Sequence, residues 1–297
     1  MNKYLIFRTD RIGDFLLTAI IINSIKRNDP NSFIRVLASK KNFDYIKSFE
    51  NVDDVVLNDK TFLKQLSVLS ILRKDSYSAL IIHDNKKRSK ILSFFIKSIL
   101  KIKNNPKSTE THILKVKDII QKLNLDFEEK DLDLFKNRLT TKLKTLPKDY
   151  IVFHFDEKWI HNSYIDHYQK IEPTEDELLK FLNRLSQKTN MDVVITTGNK
   201  TPIVLRKIIE NNNFENIFFL ENQSFLEVES TINNCKLLIS CHGAVSHIAA
   251  GSNIRQIDII DTSYDYSLWS SHFRKYECLN RSKFYDLTNN ILNLLDS

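Results

Sequence analysis

Two segments of the 297-residue chain carry residue types that could do chemistry. The first is Arg8-Thr9-Asp10-Arg11-Ile12-Gly13-Asp14-Phe15-Leu16-Leu17-Thr18. It follows a short apolar run and precedes a long one, so it reads as strand, turn and helix. That puts Asp14 at or near a helix N-terminus, where backbone N–H groups favour the carboxylate form. An ionised carboxylate facing a ligand can act as a general base. Aspartate is also a common cap at helix starts, and spacing alone favours that plainer role.

The second segment is Leu237-Leu238-Ile239-Ser240-Cys241-His242-Gly243-Ala244-Val245-Ser246-His247-Ile248-Ala249-Ala250. A buried strand runs into a small-residue turn and then a helix. Free N–H groups and the helix dipole make such a turn a phosphate site. Gly243 lets the backbone approach a ligand closely, and His247 on the first helical turn could donate to a phosphate oxygen. An ordinary turn with a buried histidine fits the same residues.

Other candidates are weaker. His154, His161 and His167 match no zinc spacing, and no cysteine pair accompanies them. Asp131-Leu132-Asp133 has D-x-D spacing but lies in a charged helical stretch and reads as solvated surface. Trp159, His161, Tyr164, His167 and Tyr168 read as a cleft-lining or acceptor-contacting loop. Trp269, His272, Phe273 and Arg274 form an aromatic and basic patch expected to pack on the first domain, with contact to ligand as the alternative. Lys86-Lys87-Arg88-Ser89-Lys90 opens a helix expected to run to residue 102, with Phe94, Phe95, Ile96, Ile99 and Leu100. Its apolar density favours core packing with a basic rim over a membrane-surface element.

The elements that position these residues alternate. Strands are expected at 3–7, 33–38, 52–57 and 78–83, with helices at 15–26, 43–49, 62–73 and 91–102. Residues 109–146 read as helical and charged, and 146–149 as a linker. Strands then recur at 150–155, 192–197, 217–220, 236–240 and 254–260. Helices at 175–189, 202–212, 225–234 and from 247 separate them, and a last helix covers 282–295. Thr174 and Glu177 have the spacing of a capping box. This alternation indicates an α/β class with parallel sheets. Two domains follow, 1–147 and 148–297, with the last helix expected to pack back on the first.

Composition bounds the rest. Hydrophobic residues at 42% and charged residues at 27% exclude wholesale disorder. The net charge of +7 admits an anionic partner. The basic residues read as dispersed and no nucleic-acid-binding motif occurs, so nucleic acid is not an expected partner. Cys235, Cys241 and Cys278 make no disulfide framework, and no secretory leader or spanning segment is evident, which fits a cytoplasmic protein. There are four glycines, Gly13, Gly198, Gly243 and Gly251, each expected where a side chain would not fit.

The two segments in this order, an N-terminal R-x-D-R-I-G-D-x-L-L-T and a late strand–turn–G-x-x-x-H-x-A-A, resemble glycosyltransferase family 9, the bacterial ADP-heptose:lipopolysaccharide heptosyltransferases and their relatives. The resemblance covers most of the chain. It implies a GT-B fold, two Rossmann-like domains with parallel sheets facing across a cleft, and a metal-independent inverting transfer from a nucleotide sugar, with no cofactor. It matches Asp14 to the family's catalytic carboxylate. Arg8, Asp10 and Arg11 fall on the acceptor side. Gly243, Ala244, Val245 and His247 match the turn that holds the donor diphosphate, and His242 beside them falls on the donor-binding side. Lys158 is similar to a lysine that contacts the donor, and Thr197 and Gly198 sit where the nucleoside is approached. A glycolipid or oligosaccharide acceptor is implied, with peripheral contact to the inner membrane. The family commonly reads Asp-Ser/Thr-Gly where this chain has Cys241-His242-Gly243, and a neutral thiol cannot replace a carboxylate as a strong acceptor. Heptose is therefore not carried over. A non-catalytic nucleotide-sugar-binding relative is the alternative.

Overall fold

The computed structural model describes the chain except residues 60, 105–108, 136–145, 161–170, 199, 213 and 297, and the side chains at 62 and 63. The chain divides into two compact units, Met1–Arg138 with Ser267–His272, and Leu139–Tyr266 with Phe273–Ser297.

The first unit runs β1 (Lys3–Arg8), α1 (Ile12–Asn28), β2 (Phe33–Ala38), α2 (Phe43–Lys47), β3 (Asp54–Leu57), α3 (Phe62–Leu72), β4 (Tyr77–Ile82), α4 (Lys87–Phe94), β5 (Ser98–Lys103) and α5 (His112–Lys122). Its sheet is all parallel, in the order β3-β2-β1-β4-β5. Tyr4, Leu5, Ile6 and Phe7 of the central strand are all buried, as a strand covered by helices on both faces must be. On one face Leu5, Phe7, Leu80 and Ile82 meet Val68, Leu72 and Leu92 of α3 and α4. Helix α1 is buried on most sides, and α5 packs along it through an amphipathic face of Ile113, Val116, Ile119 and Ile120. The expected helix over 91–102 is corrected. It ends at Phe94, and Ser98-Ile99-Leu100-Lys101-Ile102-Lys103 pairs with β4 as an edge strand. Of this strand only Ile102 turns into the core, so no clean alternation marks it and the apolar density around it reads as helix.

The second unit runs β6 (Tyr150–His154), a 3-10 turn (Glu157–Trp159), α6 (Glu175–Thr189), β7 (Asp192–Thr196), α7 (Ile203–Asn211), β8 (Ile217–Leu220), α8 (Phe225–Asn233), β9 (Leu237–Cys241), α9 (Ala244–Gly251), β10 (Arg255–Ile260), β11 (Tyr276–Asn280) and α11 (Phe284–Leu294). A short helix, α10 (Ser267–Ser270), precedes β11 in sequence but belongs to the first unit. The sheet is parallel in the order β11-β10-β9-β6-β7-β8. Thr174 and Glu177 do form the capping box of α6. The last helix buries Phe284, Leu287, Ile291 and Leu292 in the core of the second unit. Strand β11 was not expected, because Glu277 interrupts a short edge segment of mixed polarity.

Counted from its own first strand, each sheet has the order 3-2-1-4-5, and the second adds a sixth strand beyond the fifth. In both, the connections change side between the first and fourth strands. A crevice opens there at the carboxyl ends, and ligands of open α/β sheets bind in it. The crevices lie at β1/β4 and β6/β9, where the two chemistry-bearing segments leave the sheets.

None of the described glycines has a positive φ. The left-handed positions are filled by Asn85, Asn124, Asn190, Asn222, Asn253 and Lys275. Asparagine tolerates this conformation through local side-chain hydrogen bonds, so it does in this chain what glycine commonly does. Among the described residues, no helix is long and apolar enough to cross a membrane.

Candidate active site

In the first unit, Asp14 is the third residue of α1. Its Oδ2 accepts from the Arg11 backbone N–H at 3.2 Å, so the capping role is real. The other oxygen lies 3.9 Å from the Arg8 guanidinium, and the side chain keeps 22% of its surface exposed. Arg8 itself is buried. Its Nε donates to the Asp14 carbonyl at 2.8 Å and its Nη1 to the His83 carbonyl at 2.7 Å, and it pairs with Asp10 at 3.3 Å. One guanidinium thus ties together the end of β1, the start of α1 and the end of β4. Burial pulls its pKa down, while Asp14, Asp10 and Asp84 draw it back up.

The β4 end adds partners that sequence reasoning did not single out. Asp84 is buried and accepts from Thr9 Oγ1 at 2.6 Å and Ser89 Oγ at 2.7 Å. His83 Nδ1 lies 2.8 Å from Thr18 Oγ1, and burial holds its pKa well below the ordinary value, so the ring is neutral. Lys86 pairs with Asp10 at 2.7 Å. Burial raises the Asp10 pKa, against the pull of Arg8 and Lys86. Asp10, Arg11, Asp14, Lys40, Lys41 and Lys86 line one cavity of about 700 Å³. The signal for His83 and Asp84 is topological: they end the strand beside β1.

In the second unit, the 3-10 turn after β6 carries Lys158, whose ammonium lies 3.1 Å from Asp156 Oδ2. His154 Nε2 lies 3.6 Å from the same oxygen, and its Nδ1 lies 2.8 Å from Thr196 Oγ1. Burial pushes the Asp156 pKa up, but Lys158 and His154 outweigh it and hold the carboxyl well below the usual range. Thr197 is buried at the end of β7. At Gly198 a Cβ would land on the Glu157 carboxylate, and at Gly243 it would land on the Lys158 ammonium. Gly243 has φ 176°, extended backbone open to any residue. It is therefore the lysine, not the backbone, that makes a small residue useful there.

Helix α9 starts at this turn. Its first two N–H groups, on Ala244 and Val245, have no preceding turn of helix to donate to. Gly243 N–H donates to Ser246 Oγ at 3.2 Å, and Ser246 Oγ donates to Asp258 Oδ1 at 2.8 Å. His242 Nδ1 sits 2.5 Å from Asp258 Oδ2, which also accepts from the Tyr276 hydroxyl at 3.2 Å. The His242 ring packs edge-on to Tyr266 at 4.7 Å, and the His247 ring edge-on to Phe273 at 5.1 Å. Cys241 is buried, and burial pushes its thiol up to about 12 despite Arg281, whose Nη1 is 3.4 Å from the sulfur. Arg281 Nη2 donates to the Lys158 carbonyl at 2.5 Å, joining β11 to the β6 turn.

The structure therefore brings Lys158, Gly198, His242, Gly243, Ala244, Val245 and His247 into one corner. Asp156, Ser246, Asp258, Tyr276 and Arg281 are additional to the sequence reading. Asp258 was detectable as a lone carboxylate within Gln256-Ile257-Asp258-Ile259-Ile260. His161, Tyr164, His167 and Tyr168 lie outside the described residues. Asp131 is not solvated surface: it is buried and accepts from Arg27 Nε at 2.8 Å and the Glu128 N–H at 2.9 Å. Trp269 lies in the first unit, its ring 3.8 Å from that of His112 on α5.

No family model and no curated protein sequence matches the chain. Solved structures do. Escherichia coli heptosyltransferase WaaC with ADP superimposes with a TM-score of 0.75 at 14% identity, covering 99% of each chain. E. coli ADP-heptose lipopolysaccharide heptosyltransferase II gives 0.70 at 13%, covering 100% of this chain and 98% of that one. A family 9 glycosyltransferase from Veillonella parvula gives 0.69 at 12%, covering 99% and 91%. At such identity the likeness establishes the fold, the α/β GT-B architecture of these heptosyltransferases.

Proposed function

We propose that the chain is a glycosyltransferase that moves a sugar from a nucleoside-diphosphate donor to a hydroxyl of a lipopolysaccharide or related surface-glycan acceptor. The observation that carries this reading is the placement of both chemical segments at topological switch points of two parallel sheets. The heptosyltransferase fold of the neighbours supports it, E. coli WaaC among them having been solved with ADP and with ADP-2-deoxy-2-fluoro heptose.

In this reading Asp14 takes the proton of the acceptor hydroxyl as its oxygen attacks the anomeric carbon. The bond from that carbon to the diphosphate breaks, its electron pair leaves with the diphosphate, and the configuration inverts. The N–H groups of Ala244 and Val245, Lys158 and His247 stabilise the charge that grows on the leaving group. These groups can do so without a divalent ion. Thr197 and Gly198 face the nucleoside. Arg8 acts as a positioning residue for Asp14, and Asp10 and Arg11 meet the acceptor.

A second reading, a relative that binds nucleotide sugar without turnover, is favoured by one observation. Cys241 is a neutral buried thiol where the family commonly has an aspartate. One experiment separates the two. Thermal shifts with ADP, UDP, GDP, CMP and their sugar conjugates, without added metal, identify the donor, since stabilisation grows with the logarithm of ligand over Kd. His247→Ala should abolish the shift. With that donor and an acceptor panel, Asp14→Asn should lower turnover by roughly 10²–10⁴-fold while leaving the donor shift intact. No donor shift at all sinks the transferase reading, and a shift without turnover selects the second.

A further inference from the structure

Two side-chain oxygens of the second unit are buried without a partner. Glu157 Oε2 and Thr197 Oγ1 have no hydrogen bond among the described residues, and Thr197 is only 5% exposed. Most buried polar atoms of a folded protein are satisfied, and leaving a carboxylate oxygen without a donor is costly. Both oxygens belong to the surroundings of Gly198, where a Cβ would strike the Glu157 carboxylate. The turn that carries Glu157 is firmly held. Trp159 is fully buried and its indole N–H donates to the His154 carbonyl at 2.9 Å, while the Lys158 N–H donates to Asp156 Oδ1 at 3.1 Å. From this turn the two adjacent side chains part. Lys158 reaches Gly243 beyond β9, and Glu157 reaches Gly198 beyond β7. Those strands flank β6, so about 10 Å separates the two glycine turns.

We infer that Glu157 and Thr197 select the donor by its ribose, the Glu157 carboxylate accepting from the vicinal 2′ and 3′ hydroxyls. This assignment rests on the nucleotide site proposed above and names the group that discriminates within it. A carboxylate accepts only, so its ligand must donate. Two anions repel, so the diphosphate is not the group that Glu157 meets. Order along the turn selects the donor. Lys158 and the Gly243 turn meet the diphosphate, and the ribose is the next group along a nucleoside diphosphate, as Glu157 is the next side chain toward β7. Glu157 is half-buried, so a small rotation brings its carboxylate to a ligand over Gly198. Its Oε2 has no bond to break on the way. A nucleotide without the 2′ hydroxyl leaves one of these contacts unmade and is rejected, because a site built to bind a hydroxyl discriminates against the analogue that lacks it.

The test is calorimetry of the full chain with ADP, UDP, GDP and CDP, the 2′-deoxy form of each, and inorganic pyrophosphate. The tightest ribonucleotide should bind roughly tenfold more weakly in its 2′-deoxy form. Glu157→Gln should weaken that ribonucleotide roughly 10–100-fold, the scale of a hydrogen bond to a charged group, and should erase the preference for ribose. Its affinity for pyrophosphate should not change, and without ligand it should melt no lower than the native chain, since no bond to the carboxylate is lost. Gly198→Ala is the second variant. Its backbone φ is not positive and accepts alanine, and the methyl displaces the Glu157 carboxylate, so it should behave as Glu157→Gln does. Equal affinity for the ribose and 2′-deoxy forms overturns the inference. So does a ribose preference that Glu157→Gln leaves intact. A Glu157→Gln chain that melts lower and also loses pyrophosphate overturns it as well, because the side chain then props the turn. Each of these results leaves the nucleotide site standing. Binding of neither pyrophosphate nor any nucleotide removes that site, and the inference with it.

Discussion

His242 Nδ1 stands 2.5 Å from Asp258 Oδ2, and Asp258 has no exposed surface. The carboxylate therefore fixes the ring of His242 and leaves its other nitrogen to face away from β10. Through Ser246 the same carboxylate also reaches the Gly243 N–H, so one buried group on β10 sets both the histidine and the turn before α9.

Asp258→Asn should be costly for this reason. The amide presents N–H groups to donors that need an acceptor. Unfolding in urea should register a loss of about 3 kcal/mol, and donor affinity should fall with it. Tyr276→Phe removes one peripheral donor and should cost about 1 kcal/mol while leaving affinity nearly unchanged.

Gly243→Ala tests the lysine contact. The extended backbone accepts alanine, so stability should change by less than about 1 kcal/mol. The new methyl displaces the Lys158 ammonium, so calorimetry should find diphosphate affinity lowered roughly tenfold, the scale of one charge-assisted contact. Lys158→Met should have a similar effect, and the double variant should be no worse than either single one.

The three thiols should separate by reactivity. Cys278 is exposed, whereas burial pushes Cys235 and Cys241 up to about 12. Iodoacetamide at neutral pH should label Cys278 first, with the other two reacting only on unfolding, because the thiolate is the nucleophile. Mass spectrometry of timed digests reads this directly.

Acid should weaken the protein through His112. Burial, then Lys115 and Arg8, bring its pKa down to about 4 from an ordinary 6.5. As pH falls, the unfolded chain takes up the proton first. Stability is therefore whole above about pH 6.5 and is lost progressively toward pH 4. The ring is only half-buried, so the loss is about 1–2 kcal/mol. Denaturation across this window should steepen with acid in the native protein, and less so in His112→Gln.

The α/β class and the N-terminal turn were legible because buried parallel strands and amphipathic helices write period and polarity directly into sequence. So was the α9 turn, where Gly243 and His247 mark a strand-to-helix junction. The partners around those turns were harder to find. Asp84 is 75 residues from Thr9, and Asp258 is 16 from His242; strand order alone brings each pair together. Unlike the edge strands β3 and β8, β5 and β11 escaped because Lys101 and Lys103 in one and Glu277 in the other interrupt their apolar runs. Asp131 was misjudged because its partner, Arg27, is more than 100 positions away.

The return of α10 to the first unit bears on how the molecule is made. Trp269 belongs beside His112, yet residues 139–266 of the other unit are translated in between. At about 5–20 residues per second, the ribosome takes roughly 6–25 seconds to cross that interval. During that time the N-terminal portion is already whole in its sheet but lacks the indole that covers His112. A gene fragment stopping near residue 138 would leave it permanently in that condition, so the two halves cannot be cut apart at their apparent border without exposing a ring that the full chain covers.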